Sequence, residues 1–104
     1  MRLRRDPFRD VIVRQLDLFV EDEADLLEEC REKFRAYERA EREDAEEAYG
    51  DFVDVVETAT EALADMRDRF ARTLDEDAAE VYEDSFNHAV RKRWPELGLE
   101  IENR

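Results

Sequence analysis

The chain has 104 residues, 31 of them acidic and 17 basic, for a formal net charge of −14. That length makes one domain near the lower limit for burying an adequate core alone. With only two Gly and two Pro it lacks the turn residues that an all-β fold needs roughly every 8–12 residues. A field of this sign repels nucleic acid and anionic membranes over most of the surface, so direct binding to either is not expected.

Apolar residues make up 42% and charged residues 46%, the profile of long helices with narrow apolar stripes. Asp6-Pro7 reads as a helix start, with Asp6 as N-cap and Pro7 at the first helical position, where no N–H is needed. Phe8, Val11, Ile12, Leu16, Phe19, Val20, Leu26, Leu27, Cys30, Phe34 and Tyr37 then recur in steps of three and four, as one face of an amphipathic helix does. Glu23 falls on that stripe and is its weak spot. From Glu38 to Glu47 the pattern fades into six acids, two arginines and two alanines, a composition with good helix propensity and little to bury. The sequence alone therefore predicts one helix over about residues 7–48, striped as far as Tyr37 and solvated over Glu38–Glu47.

The central expectation concerns AYGDF, residues 48–52. Gly50 suits the left-handed residue that ends a helix and Asp51 the N-cap of the next, so the turn is expected at or within a few residues of Gly50. A second stripe follows in Tyr49, Phe52, Val56, Ala59, Leu63, Met66 and Phe70, a heptad-like seam over a helix of about 51–74. Thr73 or Asp75 would cap a third helix of about 76–94, carrying Val81, Tyr82, Phe86, Val90 and Trp94, and Pro95 would end it. Residues 95–104 form a short tail that could dock through Leu97, Leu99 and Ile101. The expected fold is all-α, a long hairpin of two to three helices in a single domain, 1–104. Two striped helices bury too little surface alone, so an antiparallel homodimer completing a four-helix-type bundle is also expected.

Cys30 is the only cysteine, which rules out an internal disulfide and points to no oxidising compartment. The start, MRLRRDPFRD, has no apolar run behind it and does not read as a secretory signal. No apolar stretch approaches the roughly 20 residues of a membrane span, and the expected location is cytoplasmic. Length and hairpin shape are somewhat similar to the small secreted WXG100 proteins. Their motif is missing, since Tyr49 directly precedes Gly50 and the sole tryptophan stands in Trp94-Pro95.

Asp84, Ser85 and His88 hold the only serine and histidine. A serine inside the same helix as its base has no free N–H groups to stabilise an oxyanion, so catalysis is not expected. Glu80, Asp84 and His88, spaced i, i+4, i+8, share one helix face and could ligate a metal ion, with a partner helix completing the shell. No glycine-rich phosphate loop or CxxC motif is present, and no cofactor is expected. Residues 1–14 carry five arginines against two aspartates, and Arg91, Lys92 and Arg93 lead into Trp94. Arg2, Arg4, Arg5, Arg9, Arg91, Lys92, Arg93 and Trp94 are therefore the candidate partner-binding residues, with both basic clusters meeting at one end of the hairpin. The functional expectation is a small acidic, non-enzymatic protein–protein interaction module. The alternatives are a metal-binding bundle and an acidic nucleic-acid mimic that sequesters a basic protein.

Overall fold

A computed structural model of the protein describes residues 6–97 and 100–104. Four helices follow one another, α1 (Arg9–Asp22), α2 (Ala24–Arg39), α3 (Ala45–Ala71) and α4 (Glu76–Arg93). Two single 3₁₀ turns, Pro95–Leu97 and Ile101–Asn103, lie in the tail. Among the described residues there is no strand, and no helix is long and apolar enough to cross a membrane. Four helices replace the expected two to three because the long first helix is broken at the residue that interrupts its stripe.

That residue is Glu23. Its backbone leaves helical geometry (φ −117°, ψ 34°) while the flanking hydrogen bonds, Glu23 N–H to Phe19 and Leu27 N–H to Glu23, are kept. The result is a kink between α1 and α2. On one side Phe19 turns to meet Trp94 edge-on, ring centroids 6.0 Å apart. On the other, Leu27 and Cys30 face α3, with Cys30 Sγ 3.8 Å from the carbonyl of Val55.

The chain reverses at Ala40–Asp44, ahead of Gly50, which lies in the sixth position of α3. The expected turn at Gly50 is thus corrected, as is the solvated helix over Glu38–Glu47. Register explains both. Tyr37 packs on Tyr49 and Phe34 on Phe52 with tilted rings, centroids 5.2 and 5.4 Å apart, and these pairs are symmetric about residue 43. A turn at Gly50 would have drawn Tyr49 and Phe52 into the loop and left Phe34 and Tyr37 without partners. No glycine is needed at the actual turn, because Ala40 leaves the helix through the extended region (φ −65°, ψ 139°), open to any L-residue. Asp44 N–H then closes the turn on the Glu41 carbonyl at 2.9 Å.

Gly50 is an ordinary exposed helix position, and a Cβ added there meets nothing within 4 Å. Substituting Gly50→Ala is expected to raise stability by about 0.5–1 kcal/mol, read as a higher urea midpoint at unchanged slope. A lower midpoint would restore the turn to residue 50.

The expected start of the first helix is corrected by two residues, since α1 begins at Arg9 with Phe8 as its N-cap, while Asp6 accepts the Phe8 N–H at 2.9 Å in the turn ahead of it. Local signals hold at the boundaries of α4. Asp75 caps α4 by accepting from Ala78 N–H at 2.9 Å. Trp94, adjacent to Pro95, departs from helical geometry as α4 ends. α4 runs antiparallel to α3, pairing Phe70 with Tyr82 and Arg67 with Asn87. It runs parallel to α1, with Phe8 level with Tyr82 and Phe19 level with Trp94. The tail folds back over α2, α3 and α4, burying Leu97 and Ile101; Leu99 lies outside the described residues.

One apolar core joins these layers, with Tyr82, Phe86, Leu63, Cys30 and Ile101 without exposure. Burial pushes the Cys30 thiol above its usual range, with Glu29 adding to the effect and Arg31 opposing it. Cys30 is therefore expected to resist alkylation by iodoacetamide at pH 8 in the native state and to react once urea unfolds the chain. Rapid native labelling would show that α2 and α3 separate here.

Candidate functional site

The helix order brings the candidate basic residues together in a way that depends on parallel packing of α1 and α4. Between these helices runs a groove of about 420 Å³. Ile12, Leu16 and Val13 from α1 and Ala89 from α4 form its floor, and Arg9, His88, Lys92 and Arg93 stand around it with Asp6 as the lining acid. Val13 is 49% exposed and is a direct apolar contact for anything seated there. A neighbouring concavity shares Arg9 and Val13 and adds Asp10, Arg14 and Asp17.

Each cation is positioned differently. Arg93 is fixed by Asp17 of α1, Nη2 to Oδ1 at 3.0 Å, and its guanidinium lies 5.5 Å from the Trp94 ring centroid. Arg9 and Lys92 form no ion pair within 4 Å among the described residues, so their charges stay free for another group. The last turn of α4 also carries Arg91, Lys92 and Arg93 together, where cations oppose the negative end of the helix dipole. That local benefit explains their presence on α4. It does not explain Arg9, which comes from the other wall.

Several candidate residues stand elsewhere. Trp94 is only 3% exposed and packs on Phe19, so it is a core residue and not a contact surface. Arg91 points toward the tail and pairs with Glu102 at 3.1 Å; Arg91 is the partner whose charge helps hold the Glu102 carboxyl low, after a larger effect from a backbone hydrogen bond. Arg2, Arg4 and Arg5 lie outside the described residues. α1 and α4 run parallel, so Arg9 is level with the middle of α4 and not with its last turn. Among the described residues, Arg9, Lys92 and Arg93 of the candidate set share the groove.

Glu80, Asp84 and His88 are all exposed on α4. Among the described residues, no three His, Cys, Asp or Glu side chains are grouped closely enough to hold a metal ion. The i, i+4, i+8 spacing strings these three groups along about 12 Å of helix, too far for a single ion to reach all of them. Ser85 lies on the groove wall within α4, where the backbone N–H groups are spent on the helix.

A second polar feature escaped sequence reasoning. Arg67 of α3 is 5% exposed. Its guanidinium donates to Asn87 Oδ1 at 2.9 Å, to the Ile101 carbonyl at 3.1 Å and to the main-chain oxygen of Arg104 at 2.9 Å, while Nε reaches Asp68 at 2.9 Å. It clamps the tail to α3 and α4. Its signal was a row on α3 at Thr60, Ala64, Arg67 and Ala71, buried beside the stripe that carries Phe52 and Phe70.

No family model, curated protein or solved structure matches this chain.

Proposed function

We propose that this protein is a non-enzymatic helical interaction module that receives an acidic, amphipathic partner segment in the α1–α4 groove. The observation that carries this reading is the combination of Arg9, Lys92 and Arg93 over an open aliphatic floor, on a chain of net charge −14. Four other concavities on the described surface are neutral or acidic by their lining residues. A cationic groove inside a negative field rejects most surfaces and favours a ligand that brings its own carboxylates together with an apolar contact. The apolar floor supplies affinity and the rim supplies orientation.

Fluorescence anisotropy of a labelled, glutamate-rich helical peptide with leucines at i and i+4 tests the reading. Binding is expected, and the paired substitution Arg9→Glu and Lys92→Glu should weaken it about tenfold or more, each rim contact contributing about 0.2–1 kcal/mol and reversal counting more than removal. Unchanged binding by that variant, or no binding by the wild type at millimolar protein, would defeat the proposal.

A further inference from the structure

The opposite end of the molecule carries the chemistry that this groove selects. Residues 38–47, spanning the α2–α3 turn, contain six acids and two arginines, and every one of those acids is exposed. Directly behind them the rings of Tyr37 and Tyr49 pack against one another while remaining 37% and 51% exposed. Tyr49 and Phe52 also share a concavity with Leu97, Glu100 and Arg104 of the tail, which stands at the base of this tip. Acidic groups flanking an accessible aromatic pair are the counterpart of cations flanking an aliphatic floor.

The geometry points to a second copy of this chain as the occupant of the groove, its acidic α2–α3 tip seated between Arg9 and Lys92. This rests on the reading of the groove given above and names its partner. The pairing of Phe70 with Tyr82 and Arg67 with Asn87 puts the groove beside the second half of α3. The tip stands at the start of α3, roughly 30 Å away at 1.5 Å per residue. Two copies laid antiparallel about a two-fold axis near the middle of α3 bring each tip to the other's groove at once. Such an isologous arrangement closes on itself and uses both patches. A standard interface needs about 800 Å² from each partner, close to a tenth of the 7605 Å² accessible surface of this chain. Asp6 lines the groove, and Asp10 and Asp17 line the adjoining concavity that shares Arg9; Asp17 is already paired with Arg93, and neither Asp6 nor Asp10 forms an ion pair with Arg9 or Lys92 within 4 Å. That leaves Arg9 and Lys92 as the charges the incoming tip meets.

Molar mass by light scattering, at fixed physiological salt, tests this with a charge swap. One variant carries Arg9→Glu with Lys92→Glu in the groove; the other carries Glu43→Lys with Glu46→Lys in the tip. All four positions are exposed, and circular dichroism confirms that each variant remains helical. The wild type is expected at twice 12.4 kDa, and each variant alone should be monomeric, with the dissociation constant raised tenfold or more. An equimolar mixture of the two variants should recover the dimer, because both of its contacts again pair opposite charges. A wild-type dimer that persists in both variants would overturn the inference, as would a mixture that stays monomeric. A monomeric wild type that still binds the glutamate-rich peptide would overturn only this inference and leave the groove to a different acidic protein. Failure of both the dimer and peptide binding would remove the groove reading as well.

Discussion

Replacing Tyr82 by alanine is expected to destabilise the protein by about 3–5 kcal/mol, the loss typical of a large aromatic removed from a core. Tyr82 has no exposure, and the rings of Phe8, Phe70 and Phe86 surround it with centroids 5.5, 4.8 and 5.8 Å away. Those three rings come from the start of α1, from α3 and from α4 itself, so one side chain ties three segments together. Its hydroxyl donates to Gln15 Oε1 at 2.8 Å, adding a polar link to α1. Tyr82→Phe should cost only about 0.5–1.5 kcal/mol, because the ring stays and the half-buried Gln15 can turn to water. Chemical denaturation followed by circular dichroism separates the two variants. Equal losses would mean that the hydroxyl, and not the ring cluster, holds α1 in place.

The same residue gives the fold an alkaline limit. Burial pushes the Tyr82 phenol up to about 12 from an ordinary value of 10. The native state therefore holds this proton more tightly than the unfolded chain does. Its contribution to stability is complete below pH 10 and is lost as pH climbs from 10 through about 12. Stability of the wild type should fall across that window, whereas Tyr82→Phe should lack this part of the decline.

Substituting Arg67→Ala is expected to cost about 2–5 kcal/mol and to release the tail. The guanidinium serves Asn87, Ile101 and Arg104 at once, and its removal strands acceptors at a cost of about 1–3 kcal/mol for each that stays buried. Water entering behind a loosened tail would limit that sum. Arg67→Lys should recover little, since a single ammonium on a flexible stem cannot reproduce a fork aimed at three diverging acceptors. Trp94 is the only tryptophan and is nearly buried beside the tail, so its emission should shift to longer wavelength if residues 95–104 detach. The backbone amides of Asn103 and Arg104, bonded to the Glu100 and Ile101 carbonyls, should lose hydrogen-exchange protection in the same variant. Unchanged Trp94 emission together with wild-type stability would show that Leu97 and Ile101 hold the tail unaided.

The helical class, the cap at Asp75 and the stop before Pro95 were legible because each depends on neighbouring residues in the chain. The reversal was not. Gly50 supplied a strong local cue, whereas its true position follows from the pairing of Phe34 with Phe52 and Tyr37 with Tyr49, a long-range register. The gap in the apolar stripe over Glu38–Glu47 was the available sign, and its helix-favouring composition hid it. Glu23 was marked as the weak point of the first stripe, and the chain does kink there. Arg67 was missed because an arginine among apolar residues reads as solvated until the helix is known to face two neighbours. α3 does so, burying a wide arc that includes Val55, Thr60, Ala64 and Ala71.

For the groove, the residue types were legible and their arrangement was not. Arg9, Lys92 and Arg93 stood out as cations in an acidic chain, but an antiparallel hairpin would have placed them differently from the parallel α1–α4 pair. Trp94 drew attention by its arginine neighbours, and its bulk is instead what closes the core between α1 and α4. Val13, which gives the groove its exposed apolar contact, was not among the candidates, since it falls beside the first stripe and not on it.

The most direct test is a backbone amide-shift titration of dilute, isotopically labelled protein with the glutamate-rich helical peptide. Shifts are expected at Arg9–Val13 and Ser85–Arg93, on the facing walls of α1 and α4, with Glu28–Arg35 of α2 unmoved. Shifts centred on α2, or absent from α4, would contradict the assignment of this groove as the interaction surface.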